Sequence, residues 1–441
     1  MKVLFISLGC DKNLVDSEQM LAILSDRGYG ITDDENDADV IVINTCCFIH
    51  DAKQESIDTI LEMARLKDDK LKALIVCGCL AERYREEIRQ EIPEVDAIVA
   101  VTELDRIADV IDDAVADQPK AEASARPSRD THRIITTPGH YEYLKIADGC
   151  DKNCTYCIIP KIRGHYRSVP MDELLAQARY LAGQGVKELI LVAQETTIYG
   201  VDLYGKKSLP ELLCKLSEID GVEWIRLLYA YPEEITDELI EVMSTNPKIC
   251  HYIDIPIQSG SDAVLRRMGR HTDRQGIRHV IEKLRSAIGD ICIRTTLIAG
   301  FPGETQEDFE ETYRFVNEME FDRLGVFTYS AEEGTPAYDM VPKVDEDTSI
   351  GRRDELYELQ QAIAYEAAES MAGKTLRVIV DGYLPDDDVY VARSYKDAPD
   401  IDGLVFVYSD RPLVTGDMVT VRIENAREYD LEGVLTDESA Q

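Results

Sequence analysis

GCDKNCTYCIIP, residues 149–160, places cysteines at positions 150, 154 and 157 and supplies no fourth thiol. An iron–sulfur cubane has four irons, so a loop giving three thiolates leaves one iron with an open coordination position. Structural zinc instead closes a tetrahedron of four ligands, and on that alternative His165 in RGHYRS is the nearest further donor.

The run leading into this loop, YLKIADG (143–149), reads as a short apolar strand. KELILVAQ, EWIRLLYAY, CHYIDIPIQ, ICIRTTLIAG and RLGVFTYS repeat the signal downstream, with amphipathic helical stretches between them. Six βα units in series predict a partial (β/α)6 barrel over residues 141–370, a long helical segment near 346–370 included. Such barrels keep reactive groups at the C-terminal ends of their strands, where the cysteine loop falls.

Upstream, KVLFISLG, DVIVINT, KALIVCG and DAIVAV alternate with helix-period stretches such as DSEQMLAILSDRGY. Residues 1–116 are therefore expected to form an α/β domain with a doubly wound parallel sheet. Residues 117–140, rich in Ala, Pro, Ser and charge, read as a linker. Residues 371–441 carry LRVIVDGY, VYVARS, LVFVYS and DMVTVRIENA without a helix, the pattern of a small all-β barrel or sandwich.

Cys10, Cys46 and Cys79 each follow one of the first-domain strands. Ligands from one edge of a parallel sheet converge above it, so these thiols can form a second metal site. Alternation favours Cys79 over Cys77, which lies within its strand, and small buried cysteines are common in cores. Cys214, Cys250 and Cys292 fall in apolar or amphipathic stretches and are expected to be packing residues.

The eleven cysteines are an odd number, and no export signal precedes them, which favours reduced, metal-binding thiols in a cytoplasmic protein. MKVLFISLGC is too short for a lipoprotein signal and continues as a strand into a helix; no run approaches a membrane span. The formal charge of −37 repels phosphate backbones and favours a basic partner, although acidity spread over the surface serves solubility equally.

With Tyr156 inside it, the CxxxCxxC loop resembles the signature of radical S-adenosylmethionine enzymes. SLGCDKNLVDSE, NTCCFI, CGCLAERY, GCDKNCTYCIIPKIRGHYRS, GVKELILVAQETTIYG, YIDIPIQ and GFPGET extend the resemblance over nearly the whole chain, to the radical S-adenosylmethionine methylthiotransferases with a C-terminal TRAM-like domain. QETTIYGVDLYG, ARSYKDAPDIDG and EYDL resemble the branch that modifies an aspartate β-carbon in the twelfth small-subunit ribosomal protein. Asp11, Glu195, Cys47 and Cys77 depart from its pattern, and IQSGSD is closer to the transfer RNA branch.

The resemblance implies two 4Fe-4S clusters, one on Cys150, Cys154 and Cys157 that binds S-adenosylmethionine, the other on Cys10, Cys46 and Cys79 that carries sulfur. It also implies a flavodoxin- or ferredoxin-type reductant and a basic ribosomal protein as substrate, with nucleic acid not the direct substrate. Tyr156, Gln194, Glu195 and Thr196 are expected to contact the cofactor, the last three at its methionine amino group. Gly300 and Gly303 would offer amides to its adenosine. Arg294, in an apolar strand, must find a buried anion or reach the mouth, where the cofactor carboxylate would suit it. The alternatives are a transfer RNA methylthiotransferase and a non-catalytic iron–sulfur electron carrier.

Overall fold

The structure, a computed structural model, describes residues 1–68, 70–116 and 132–436. Most of the expected linker, residues 117–131, lies outside the described residues. The chain divides into two compact units: Met1–Thr136 with Asp148–Val169 and Ser330–Thr335, and Thr137–Ala147 with Pro170–Tyr329 and Pro336–Gln441.

In the first unit, β1 (Lys2–Ser7), β2 (Gly30–Thr32), β3 (Val40–Thr45), β4 (Ala73–Gly78) and β5 (Ala97–Val99) form a parallel sheet in the order β2-β1-β3-β4-β5. Every residue of β3 and β4 is buried, because helices cover both faces. Val40, Val42, Ala73 and Ile75 pack with Met20, Leu24 and Ile107 on one face. Ile41, Ile43, Leu74 and Val76 pack with Ile60, Met63 and Leu80 on the other, as a doubly wound sheet requires. The edge strand β2 is three residues long with Gly30 and Ile31 exposed, which is why hydrophobic periodicity does not reveal it.

In the second unit, β6 (Tyr141–Lys145), β9 (Glu188–Val192), β10 (Trp224–Leu227), β11 (Ile249–Asp254), β12 (Cys292–Ala299) and β13 (Arg323–Thr328) make a parallel sheet in the order β13-β12-β11-β10-β9-β6. The two-residue strands β7 (Ala147–Asp148) and β8 (Arg167–Ser168) bracket the cysteine loop in sequence. After the helix Glu346–Glu369, β14 (Thr375–Leu384), β15 (Val389–Ser394), β16 (Val405–Tyr408), β17 (Met418–Arg427) and β18 (Asp430–Leu435) form a closed barrel. Parallel pairing of β16 with β18 closes it around Val378, Val380, Ala392, Val405, Val407 and Val421.

Residues 393–402 of the small barrel reach a polar group on each strand of the six-stranded sheet. Tyr141 donates to Asp400 (3.3 Å), Arg393 to Glu188 (2.8 Å), Arg226 to the Tyr395 carbonyl (2.6 Å) and Tyr252 to Asp402 (2.7 Å). Arg294 lies 3.6 Å from Asp402, and Arg323 bonds Asp397. Tyr141, Glu188 and Arg323 are the first residues of their strands, so this segment closes the end opposite the one where barrel chemistry sits.

At its centre the fully buried Glu188 carboxylate accepts from Arg226 (2.7 Å) and Arg393 (2.8 Å). Burial raises the Glu188 pKa, but the two guanidiniums outweigh it and hold the group below the ordinary value of 4.5. With a depressed folded pKa, the stability it contributes is complete above 4.5 and fades as pH falls through the lower folded value. Glu188→Gln leaves the buried Arg226 without its carboxylate and Arg393 with Asp381 alone, and is expected to cost about 3–5 kcal/mol in chemical denaturation at neutral pH. The gap from the parent should narrow as the pH is lowered below 4.5.

Candidate functional site

The first unit gathers both cysteine triads, and sheet register explains the first. β1, β3 and β4 are neighbours running the same way, with Ser7 beside Asn44 and Thr45 beside Gly78. One step beyond Thr45 and Gly78 come Cys46 and Cys79, so strand pairing brings them level although 33 positions separate them. Cys10 caps the N-terminus of helix α1 (Asp11–Asp26), three residues past the end of β1, and α2 (His50–Ala64) follows β3. Cys79 opens helix α3 (Cys79–Arg83). Cys46 and Cys79 are buried and Cys10 is exposed, which leaves one corner of the set open to solvent.

Two glycines make this edge. Gly78 has φ +89°, and a Cβ there would lie 2.3 Å from Asn44 Oδ1 and 2.5 Å from the Thr45 carbonyl. At Gly9, φ is +94° and a Cβ would meet the Cys46 side chain at 2.7 Å. Only glycine turns the chain sharply enough to bring the thiols beside the strand ends.

A buried polar net lies underneath. Asn13 donates to the carbonyls of Leu8 (2.9 Å) and Thr45 (3.1 Å), and Asn44 donates to the Asn13 carbonyl and Ser17 hydroxyl, each at 3.0 Å. Arg163, 1% exposed, bonds Asp16 and Asp148 at 3.1 Å and Asn13 at 2.6 Å, and its Nη2 lies 3.9 Å from the Cys79 sulfur. Burial works against the guanidinium charge, but Asp16 and Asp148 outweigh it and hold Arg163 firmly protonated. Burial pushes the Cys79 thiol up to about 12, opposed by Arg163, and raises Cys46 as well. Sequence reading missed Arg163, Asn13, Asp16 and Asn44. The signal available was the resemblance of SLGCDKNLVDSE, NTCCFI and GCDKNCTYCIIPKIRGHYRS themselves, in which Asn13 and Asp16, Asn44, and Arg163 accompany the cysteines.

The second triad sits on the loop Asp148–Val169 of the same unit. Cys150 and Cys154 are buried and Cys157 is half-buried. The Cys150 amide donates to the Gly164 carbonyl (3.1 Å) and the Cys157 amide to the Cys154 carbonyl (3.0 Å). Gly149 permits the close return, because a Cβ there would lie 2.2 Å from the His165 carbonyl. Burial pushes the Cys157 thiol up to about 12, with the neighbouring Cys154 and Cys150 adding to the shift. Tyr156 is half-buried between the last two cysteines. His165, the fourth donor of the zinc alternative, is turned outward: its side chain is 94% exposed and pairs with Asp151 at 2.7 Å.

Cys47 and Cys77 are both buried near the first triad. Cys77 is fully buried inside β4, its thiol 4.0 Å from the Met20 sulfur, and Cys47 packs in the core, its carbonyl facing Arg83. Cys250 and Cys292 are buried as expected. Cys214 corrects the expectation: it is exposed on the outer side of helix Leu209–Ser217, whose buried face is Leu209, Leu212, Leu213 and Leu216.

In the second unit, Gln194 is half-buried just past β9, and the fully buried Glu195 accepts from the Thr197 amide (3.1 Å). Four expected cofactor contacts prove to be engaged within the protein. The Thr196 hydroxyl donates to the Leu228 carbonyl (2.8 Å) and ties two strand ends together. Gly300 donates its amide to Glu304 (3.1 Å), and a Cβ there would strike Ser349 at 1.9 Å. The Gly303 amide donates to the Pro342 carbonyl (2.8 Å). Arg294 finds the buried anion rather than the mouth, bonding Asp254 at 2.9 Å with Asp402 at 3.6 Å. IQSGSD is likewise structural: Ser261 donates to Asp308 (2.6 Å), and Asp262 accepts the Arg274 amide (2.7 Å).

Sets of three thiols suit an iron–sulfur cubane with one open corner, and glycine at position 9 keeps a Cβ off the Cys46 sulfur, which it would meet at 3.0 Å. Comparison with known proteins agrees. Residues 2–100 match the uncharacterized protein family UPF0004, 144–316 the radical SAM superfamily and 372–435 the TRAM domain. Ribosomal protein uS12 methylthiotransferase RimO of Lachnoclostridium phytofermentans is 57% identical, over 98% of this chain and 99% of its own. Its counterpart from Thermoanaerobacter sp. is 52% identical, over 97% and 98%. The radical S-adenosylmethionine methyltransferase TsrM from Kitasatospora setae shares the fold, with a TM-score of 0.56 at 12% identity over 85% of this chain and 80% of its own. With half or more of its residues identical to these relatives from end to end, this chain belongs to the RimO family of radical S-adenosylmethionine methylthiotransferases.

Proposed function

We propose that the protein adds a methylthio group to the β-carbon of an aspartate in ribosomal protein uS12. The observation that carries this reading is the placement of two cysteine triads in one compact unit: Cys10, Cys46 and Cys79 at adjacent strand ends, and Cys150, Cys154 and Cys157 on the loop 148–169. The second triad would hold the 4Fe-4S cluster that binds S-adenosylmethionine, and the first an auxiliary 4Fe-4S cluster that carries sulfur. An unactivated C–H bond has no acidic proton and no leaving group, and the bound cluster and S-adenosylmethionine supply the radical chemistry and methyl group it needs.

The chain's own part is to hold, order and shield. The Gly164 carbonyl fixes the Cys150 amide, and the loop keeps Cys150 and Cys154 buried. Tyr156, Gln194 and Glu195 remain the proposed cofactor contacts. Residues 371–441 hold 7 Lys or Arg against 15 Asp or Glu, a balance of 7 − 15 = −8, which suits a basic ribosomal protein in the cytoplasm and repels a phosphate chain. A low-potential donor of the flavodoxin or ferredoxin type would supply electrons.

Anaerobic reconstitution should give about eight irons per chain, and about four in the Cys150→Ala/Cys154→Ala/Cys157→Ala variant, as two cubanes require. With dithionite, the parent should release deoxyadenosine and increase the mass of purified uS12 but not of transfer RNA offered beside it. Mass gain on the RNA would favour the transfer RNA reading, and clusters without deoxyadenosine would favour the electron carrier. Gly78→Ala forces a Cβ against Asn44 and should reduce loading to about four irons, whereas Cys77→Ala should leave about eight.

A further inference from the structure

Arg163 stands on the loop of one triad and touches a thiol of the other. It lies six positions beyond Cys157, yet its Nη2 is 3.9 Å from the Cys79 sulfur. The next residue, Gly164, accepts the Cys150 amide at 3.1 Å. Two consecutive residues therefore join the Cys79 sulfur to the backbone of Cys150.

The surroundings fix the guanidinium. Asp16 and Asp148 each lie 3.1 Å away, Asn13 Oδ1 is at 2.6 Å, and Arg163 is 1% exposed. Arginine keeps its proton in proteins, so the site holds a permanent positive charge and a donor directed at sulfur. The three charged groups sum to 1 − 2 = −1, a balance that depends on the arginine. Hydrogen bonds to cluster sulfurs, net charge and burial set the potential of an iron–sulfur centre, and adding an electron is easier beside a cation.

We infer that Arg163 is a positioning residue shared by both triads, whose buried guanidinium donates to the Cys79 sulfur and raises the reduction potential of the cluster held by Cys10, Cys46 and Cys79. This rests on the two-cluster reading. It adds a role for a residue outside both ligand sets: without the arginine, the sulfur-carrying centre becomes harder to reduce and less firmly joined to the Cys150 loop.

The test uses the full chain carrying Cys150→Ala/Cys154→Ala/Cys157→Ala, reconstituted anaerobically so that only the auxiliary cluster is present. Its midpoint is followed by electron paramagnetic resonance during a dithionite titration with mediators. Arg163→Gln should move the midpoint to more negative potential, and Arg163→Lys should move it less in the same direction. Asp16→Asn, which removes a negative charge from the same group, should move it the opposite way. Arg133→Gln is the control for losing a buried cation, since Arg133 lies 3.7 Å from Glu18 with both side chains at most 1% exposed. It should lower the melting temperature and leave the midpoint in place.

An unshifted midpoint in Arg163→Gln, or an equal shift in Arg133→Gln, overturns the inference. If Arg163→Gln binds no iron, Arg163→Lys decides: a negative shift supports the inference and an unmoved midpoint overturns it. A parent that binds no iron in this background overturns the two-cluster reading, and the inference with it.

Discussion

Parallel strands that pair side by side end on the same edge, and the candidate chemistry of the first unit depends on that constraint. β1, β3 and β4 are neighbours, and residue-by-residue pairing from Val40 with Ala73 to Thr45 with Gly78 leaves the residues that follow no choice of level. Cys46 and Cys79 emerge together for that reason. Left-handed glycines at 9 and 78 then turn the backbone away before a side chain can fill the space.

Both units also bury arginine among carboxylates, one arginine with two carboxylates in the first and two with two in the second, where Asp381 also pairs with Arg393. Arg163 sits between Asp16 and Asp148, and Glu188 sits between Arg226 and Arg393. Desolvating such groups costs several kcal/mol per ion, so these sets are weak sources of net stability and strong sources of uniqueness. Each is held in one geometry by ion pairs between 2.7 and 3.1 Å. In the second unit that geometry fixes residues 393–402 against all six strands, and the small barrel is thereby built into the end of the larger sheet.

The same segment accounts for Arg294. An arginine in an apolar strand must meet an anion, but a strand gives no indication of which end of the sheet its third residue faces, or what will cover that end. The anion came from Asp254 and from Asp402, more than a hundred positions downstream. GFPGET shows the complementary ambiguity. Glycines that free backbone amides for a ligand and glycines that admit a neighbouring helix look alike in sequence, and at Gly300 the neighbour is Ser349.

The sequence by itself indicated the parallel strands of the first sheet, the six strands of the partial barrel and the all-β C-terminal run, because periodicity is a local property of the chain; that the loop 148–169, expected within 141–370, belongs to the first compact unit was decided in the tertiary structure. It also pointed to the triad Cys150, Cys154 and Cys157, since their spacing is itself the signal. The short edge strand β2, the exposure of Cys214 and the partners of Arg294, Thr196, Gly300 and Gly303 were decided only in the tertiary structure. So was Arg163, whose contacts with Asn13, Asp16 and Cys79 join positions as much as 150 residues apart. Whether a polar side chain meets a ligand or another side chain depends on what packing brings beside it, and no window of sequence contains that neighbour.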